Sequence, residues 1–383
     1  MISKPKVSII IPCHNEEQAV QKCLDEIREV ISIHNLDTEI VVVDNGSTDR
    51  SLEILKTNLG AFPQLNVICE PHLGYGSAYQ KGFETAQGQY LFMADCDGTY
   101  SFKDIPRFLA ELEKGYDLVV GNRFNSALLK GVMPWHHRYI GNPILSFITK
   151  LFFGIKIGDI HCGARAISRD ALNKIVLYTT GMEFASEMII KCARQGLKIT
   201  EIPISYSKRI GISKLESFSD GWRHLRFILL YSPLVLFFIP GTILFLLGSV
   251  SLIIMYVASP NIFGLKLYVH PMFFSSILTI IGYQLIFFAG FARTYAITHL
   301  GDTDRFLEPL YKHITIEKAG FVGIILCLLG GFIYVYISVK WIGSGFGSLD
   351  EIRNSVLALT LVTLGVQTFF SAFMLSMLGI KER

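Results

Sequence analysis

Two kinds of hydrophobic pattern divide the chain. As far as about Arg226, short β-rich runs alternate with amphipathic segments. Val7 to Ile11, Glu39 to Asp44, Asn66 to Cys69, Gln89 to Ala94 and Asp117 to Val120 predict strands. Glu16 to His34, Asp49 to Asn58, Ser77 to Ala86 and Asp104 to Lys114 predict helices. This alternation predicts an α/β fold with a doubly wound, mainly parallel sheet covered on both faces. Ligands of such sheets bind outside the carboxyl ends of the strands, so the residues at those ends bear on function.

Beyond Arg226 the pattern turns almost continuously apolar. Residues 227–265, 267–292, 319–339 and 354–380 contain no Asp, Glu, Lys or Arg, and each stretch exceeds the ~20 residues a helix needs to cross hydrocarbon. Four transmembrane helices are expected. Pro233 and Pro240 interrupt the first stretch, which predicts a membrane-surface helix ahead of a span starting near Leu234. The expected organisation is a domain over 1–216, a juxtamembrane amphipathic segment over 217–232 and a four-helix domain over 233–383. Arg293, Arg305, Lys312 and Lys318 crowd the central connection, and Lys381 and Arg383 the end, against Lys266, Lys340 and Arg353 in the other two loops. That bias predicts an integral membrane protein with both termini and the N-terminal domain in the cytosol.

Composition sharpens the division. Charged residues number 51 in the first 226 positions and 16 in the last 157, 17% overall, against about 25% in ordinary soluble domains. A hydrophobic share of 51% excludes disorder, and a dispersed net charge of +3 gives no footprint for nucleic acid. The seven cysteines contain no Cys-x-x-Cys pair and read as reduced thiols. The apolar run at Val7 is too short for a signal peptide.

Candidate chemistry clusters at the predicted strand ends. The strand through Val43 ends in Asp44-Asn45-Gly46-Ser47-Thr48-Asp49, where a carboxylate can accept hydrogen bonds from a nucleoside or merely close a turn and cap a helix. The strand through Ala94 ends in Asp95-Cys96-Asp97-Gly98. Two carboxylates so close repel unless a cation relieves them, and hard oxygen ligands suit Mg²⁺ or Mn²⁺ bridging a diphosphate. The alternative is an ordinary surface turn. Gly74-Tyr75-Gly76 lacks the third glycine and the feeding strand of a dinucleotide fingerprint. Gly211 and Ser213 around Arg209 and Lys214 suggest a phosphate-gripping loop, whereas Arg223 and Arg226 suit catalysis or an anchor for anionic lipid equally. Glu183 and Glu187, one helical turn apart, either line a sugar pocket or pair with Arg165 or Arg194.

Taken in order, Ser8 to Glu17, Val43 to Asp49, Gly74-Tyr75-Gly76 with Gly82, and Asp95-Cys96-Asp97 resemble the motifs of family 2 glycosyltransferases with the GT-A fold. Gly121-Asn122-Arg123-Phe124, Gly158 to Ala166 and Gly211 to Leu215 resemble the branch containing dolichyl-phosphate mannose synthase and bacterial polyprenyl-phosphate glycosyltransferases. The match spans about residues 6 to 226. The resemblance implies that Pro12, His14, Glu16 and Asp44 hold the nucleobase and ribose, and that Asp95 and Asp97 bind the diphosphate and its metal. It implies further that Arg123, Arg138, Arg209 and Lys214, with Ser213, gather the phosphates of donor and lipid acceptor. Asp159 would orient the acceptor or act as a weak base, or simply cap a turn. Asn142 stands four residues after Arg138, where relatives often have a small hydroxyl residue, and Thr99 stands where some have Gln near the metal.

The expected activity is inverting transfer of one hexose, mannose or glucose favoured, from a nucleotide diphosphate sugar to a polyprenyl phosphate at the cytosolic face. Membrane lipid is an expected partner, and a homo-oligomer is compatible with the sequence. A lipid phosphate, largely dianionic at neutral pH with its second pKa about 6, needs cationic positioning more than a general base. A processive polysaccharide synthase is the first rival, but the Gln-x-x-Arg-Trp such enzymes commonly carry is absent. A lipid-linked sugar flippase is the second, disfavoured because the spans hold no charged interior residue.

Overall fold

The computed structural model describes residues 4–124, 132–211, 217–258, 261–262, 265–266, 269–299 and 316–379. The chain divides into two compact units, residues 1–228 and 229–383. Ser213 and Lys214, much of the central connection and the C-terminal Lys381 and Arg383 lie outside the described residues.

The first unit runs β1 (Val7–Cys13), α1 (Val20–His34), β2 (Thr38–Asp44), α2 (Ser51–Leu59), β3 (Leu65–Cys69), α3 (Tyr75–Thr85), β4 (Tyr90–Met93), α4 (Ile105–Glu113), β5 (Leu118–Asn122), α5 (Asn142–Phe153), β6 (Arg165–Ser168), α6 (Arg169–Leu172), α7 (Phe184–Arg194), β7 (Ile199–Pro203) and α8 (Ser217–Leu230). The Val/Ile runs of β1 and β2 suit a strand buried on both faces, and Ile9, Ile10, Ile11 and Ile40 through Val43 are fully buried. Helix α1 buries Val20, Cys23, Leu24, Ile27 and Val30, its apolar stripe. It ends at Asn35, whose left-handed backbone lets its N–H close on Ile31 O.

The seven strands order as β3-β2-β1-β4-β6-β5-β7, with β6 antiparallel to both neighbours. Strands β6 and β7 are additions to those predicted. Their short, mixed sequences, Arg-Ala-Ile-Ser and Ile-Thr-Glu-Ile-Pro, lack a clear period-2 signal. Strand order reverses between β1 and β4, and β1 runs parallel to both β2 and β4. Cys13 lies opposite Asp44, and Ile10 opposite Met93. The chain therefore leaves β1, β2 and β4 on the same sheet edge, carrying Glu16, Asp44 and Asp95 to Asp97 there. This is the switch point at which open α/β sheets bind ligands.

The second unit holds α9 (Ile239–Val257), α10 (His270–His299), α11 (Ile316–Gly343) and α12 (Ile352–Leu378). A π-helical turn over Leu234–Phe238 leads into α9, and among the described residues four segments, Leu234–Val257, His270–Thr298, Glu317–Gly343 and Ile352–Leu378, are long and apolar enough to cross a membrane. Hydroxyl contacts join the helices: Ser251 with Ser275 at 2.8 Å, Ser276 with Thr360 at 2.6 Å and Tyr283 with Thr368 at 2.7 Å. Such small and polar contacts replace the hydrophobic drive that lipid cannot supply.

Candidate active site

Three loops at the switch-point edge are stitched into one surface. Asn15, with φ of 51°, turns its side chain so that Oδ1 accepts from Thr48 N at 2.7 Å and Asp49 N at 3.3 Å. Its own N–H donates to Ser47 Oγ at 3.1 Å, and Glu16 N donates to Ser51 Oγ at 2.8 Å. His14 Nδ1 donates to Asn45 O at 2.8 Å. Asn45 then reaches the next loop, with Nδ2 donating to Glu70 O and His72 O and Oδ1 accepting from Gly74 N. Pro12 sits in β1 opposite Val43. Asp44 is 4% exposed, and its buried Oδ1 has no hydrogen-bond partner. An unpaired buried acceptor costs about 1–3 kcal/mol, and a donor group from a ligand would relieve it.

The acidic pair lies on the next loop. Tyr79 OH donates to Asp95 Oδ1 at 3.3 Å. Asp95 is pushed up to about 7, first by withdrawal from water and then by the charge of Asp97. A Cβ at Gly163 would lie 2.7 Å from Asp95 Oδ2, so only glycine leaves that oxygen its room. Asp97 is more fully engaged. Its Oδ1 accepts from Thr99 N at 3.0 Å and Thr99 Oγ1 at 2.5 Å, and its Oδ2 accepts from Arg209 Nη1 at 2.7 Å. Arg209 Nη2 donates to Glu16 Oε1, while its buried Nε has no partner.

Backbone pairing places this arginine. Ile210 N donates to Asp97 O at 2.9 Å, Ser207 N donates to Thr99 O at 2.8 Å, and Tyr100 bridges Tyr206 in antiparallel fashion. Gly98, at φ of 73°, lets the chain turn beneath Ile210. Glu16, Asp97 and Arg209, each expected at the site from sequence, are thus brought together, with the arginine between two carboxylates.

A second ion pair is buried. Arg123 Nε and Nη2 donate to Asp159 Oδ2 and Oδ1 at 2.6 and 2.8 Å, and Arg123 N donates to Oδ2 at 3.2 Å. Arg123 is 6% exposed and Asp159 0%. Burial alone would lower the Arg123 pKa, but the Asp159 carboxylate holds it well above its ordinary value. The guanidinium also stacks 5.2 Å over Tyr206. Arg165, 1% exposed, fixes the 160–163 turn by donating to the carbonyls of Ile160, Cys162 and Ala185 at 2.7, 2.8 and 2.5 Å. Burial and the charge of Asp159 push the Cys162 thiol up to about 12, which leaves it inert.

Other expected residues have different surroundings. Arg138 stacks 5.3 Å over Tyr139, and Asn142, at the start of α5, contacts Met133 Sδ at 3.8 Å. Glu187 accepts from Tyr178 N, Thr179 N and Thr179 Oγ1 and pairs with Lys191 at 3.0 Å. It therefore braces a loop, and its ion pair is with Lys191, whereas Arg165 meets carbonyls. Glu183 Oε2 is buried without a partner. Ser186 joins His224 Nδ1 at 2.9 Å, with the His161 ring 4.3 Å from that of His224. Burial lowers His161 well below its usual value and His224 to about 4. Asn15, Asn45 and Tyr79 join the site without standing among the expected site residues. The asparagines flank the β1 and β2 ends beside His14 and Asp44, a placement visible in the sequence.

No group of three or more His, Cys, Asp or Glu gathers as a metal cage among the described residues. A Mg²⁺ or Mn²⁺ that shares its shell with a diphosphate needs only one or two carboxylates. The hard oxygens of Asp95 and Asp97 fit that chemistry.

Residues 8–176 match the model of glycosyl transferase family 2, and residues 290–379 match the family 2 C-terminal transmembrane region. The chain is 35% identical to the low-salt glycan biosynthesis hexosyltransferase Agl6 of Haloferax volcanii, over 98% of this chain and 89% of that protein. It is 32% identical to a dolichyl-phosphate hexose transferase of the same organism, over 56% of this chain and 89% of that protein. A solved glucosyl-3-phosphoglycerate synthase of Mycobacterium tuberculosis is similar at 19% identity and a TM-score of 0.48, covering 60% of this chain and 78% of that one. With its GT-A-like sheet, its acidic switch-point edge and its four apolar helices, the chain belongs to the family 2 glycosyltransferases that carry a C-terminal transmembrane region.

Proposed function

We propose that the chain transfers one hexose, mannose or glucose favoured, from a nucleotide diphosphate sugar to a polyprenyl phosphate at the cytosolic membrane face. The observation that carries this is the convergence of Glu16, Asp44, Asp97 and Arg209 on one edge of the sheet. The similarity to a dolichyl-phosphate hexose transferase supports the acceptor class, and that to a hexosyltransferase of glycan biosynthesis supports the transferred group.

In this reading Asp44 accepts from the nucleoside through the oxygen that lacks a partner. Asp95 and Asp97 would hold the divalent ion, which would supply charge neutralisation to the departing diphosphate. Arg209, with Lys214, Ser213, Arg138 and Asn142, orients the acceptor phosphate. Asp159 holds Arg123 in place over Tyr206, so Arg123 lends a fixed positive field to the phosphates. The acceptor is already an anion at neutral pH, so its oxygen attacks the anomeric carbon directly. That displacement inverts the centre, and an α-linked donor gives a β-linked lipid phosphate hexose.

The test is a panel of labelled UDP- and GDP-hexoses with a short polyprenyl phosphate. The account expects one labelled, organic-extractable product per acceptor and a β anomeric linkage. A growing polymer would point to a processive synthase instead, and movement of lipid-linked sugar without new product would point to a flippase.

A further inference from the structure

Both oxygens of Asp97 already have donors in the free chain: Thr99 N and Oγ1 on Oδ1, and Arg209 Nη1 on Oδ2. The same guanidinium is tied by Nη2 to Glu16. An arginine side chain so placed cannot hold an acceptor phosphate, and an Asp97 so occupied cannot offer Oδ2 to a metal. The pair is not sealed, however. The Arg209 side chain is 23% exposed, and those of Asp97 and Glu16 are 8% and 10% exposed. Arg209 Nε also lacks a partner, so the side chain gains a contact if it moves to an anion. The pair is thus open to water mainly on the arginine side, and a dication at Asp97 returns at least the positive charge that the departing guanidinium removes.

We propose that Arg209 is an internal counter-cation that competes with the divalent ion for Asp97, so that the guanidinium is freed toward the acceptor phosphate only when the ion has taken its place. This rests on the functional reading above for the identity of the acceptor. Its core, the competition at Asp97, needs no substrate at all. Glu16 is the parking site that holds the guanidinium near its post, and Thr99 keeps Oδ1 occupied throughout.

Mn²⁺ binding to the donor-free full-length chain, followed by the EPR signal of free Mn²⁺, tests the competition directly. Arg209→Gln should bind Mn²⁺ about tenfold more tightly than wild type. Arg50→Gln removes an exposed cation near the same edge, whose side chain is 76% exposed, and should leave the affinity unchanged. If Arg209→Gln shifts the affinity no more than Arg50→Gln, or lowers it, the proposal is overturned. Absence of Mn²⁺ binding in every donor-free variant overturns this proposal, and the metal assignment falls with it only if Mn²⁺ is not held with UDP or GDP present either, whereas hexose transfer with an unmoved Mn²⁺ affinity overturns this proposal alone. A second measurement needs no variant. Wild type should retain a short prenyl phosphate in equilibrium dialysis at least about fivefold better with Mn²⁺ and UDP or GDP than without. Equal retention in all conditions contradicts the release of Arg209 by the ion.

Discussion

Two arginines, Arg123 and Arg209, meet carboxylates in the first unit under opposite conditions. Arg123 and Asp159 are 6% and 0% exposed and share two side-chain hydrogen bonds to one carboxylate. Arg209 divides its two terminal nitrogens between Glu16 and Asp97 and keeps 23% of its side chain in contact with water. The first pair is dry, so parting it strands a buried charge, and it acts as scaffold. The second lies at a rim where water or a ligand can replace either partner, and it acts as a movable part. Burial, more than bond length, separates a structural ion pair from an exchangeable one.

Breaking the dry pair should have the largest effect. Asp159→Ala leaves Arg123 buried without its counter-charge and should destabilise the first unit by about 3–5 kcal/mol, read as a fall in the denaturation midpoint. A change below about 1 kcal/mol would mean that the pair is no more structural than the rim. Asp97→Asn should leave stability nearly intact but lower hexose transfer by at least about 100-fold, the loss typical of removing charge stabilisation from a transition state. Transfer within tenfold of wild type would remove Asp97 from the reaction.

The His224 pair sharpens the contrast through pH. Burial, aided by the charge of Arg165, lowers His224 from 6.5 to about 4. The unfolded chain therefore takes up a proton below pH 6.5 that the folded chain refuses until about pH 4. Stability from this group is full above pH 6.5 and is lost as pH falls toward 4, by up to about 3 kcal/mol. His224→Gln should flatten the dependence of melting temperature on pH across that window, leaving the share due to His161. An unchanged slope would show that His224 is hydrated in solution. The smallest effect is expected at the rim, where Arg209→Gln should cost clearly less stability than Asp159→Ala, because the arginine side chain keeps 23% of its surface in water whereas Asp159 has none. A loss as large as that of Asp159→Ala would make Arg209 a scaffold residue too.

The legible part of the molecule follows from the chemistry of short range. The Val/Ile runs of β1 and β2, the stripe of α1 and the Asp-x-Asp after β4 are local signals, and the structure carries each to its expected place. The apolar stretches became four helices because lipid demands length and apolarity alone. Strand β6 was illegible because four residues opening with Arg165 carry no alternation, and its antiparallel insertion depends on neighbours far away in sequence. The meeting of Arg209 with Asp97 was illegible for the same reason. The residue types marked both as site residues, one for phosphate and one for metal. The pairing of the 97–100 and 206–210 segments brings them together, and without ligands they bind each other.

The most direct test compares wild type and Asp97→Asn, purified in detergent, with labelled nucleotide hexoses and a short polyprenyl phosphate. The account predicts label passing into the organic phase with wild type and staying in water with the variant, while both keep the same melting temperature. Label that remains aqueous for every donor, or that the variant extracts as well as wild type, contradicts it.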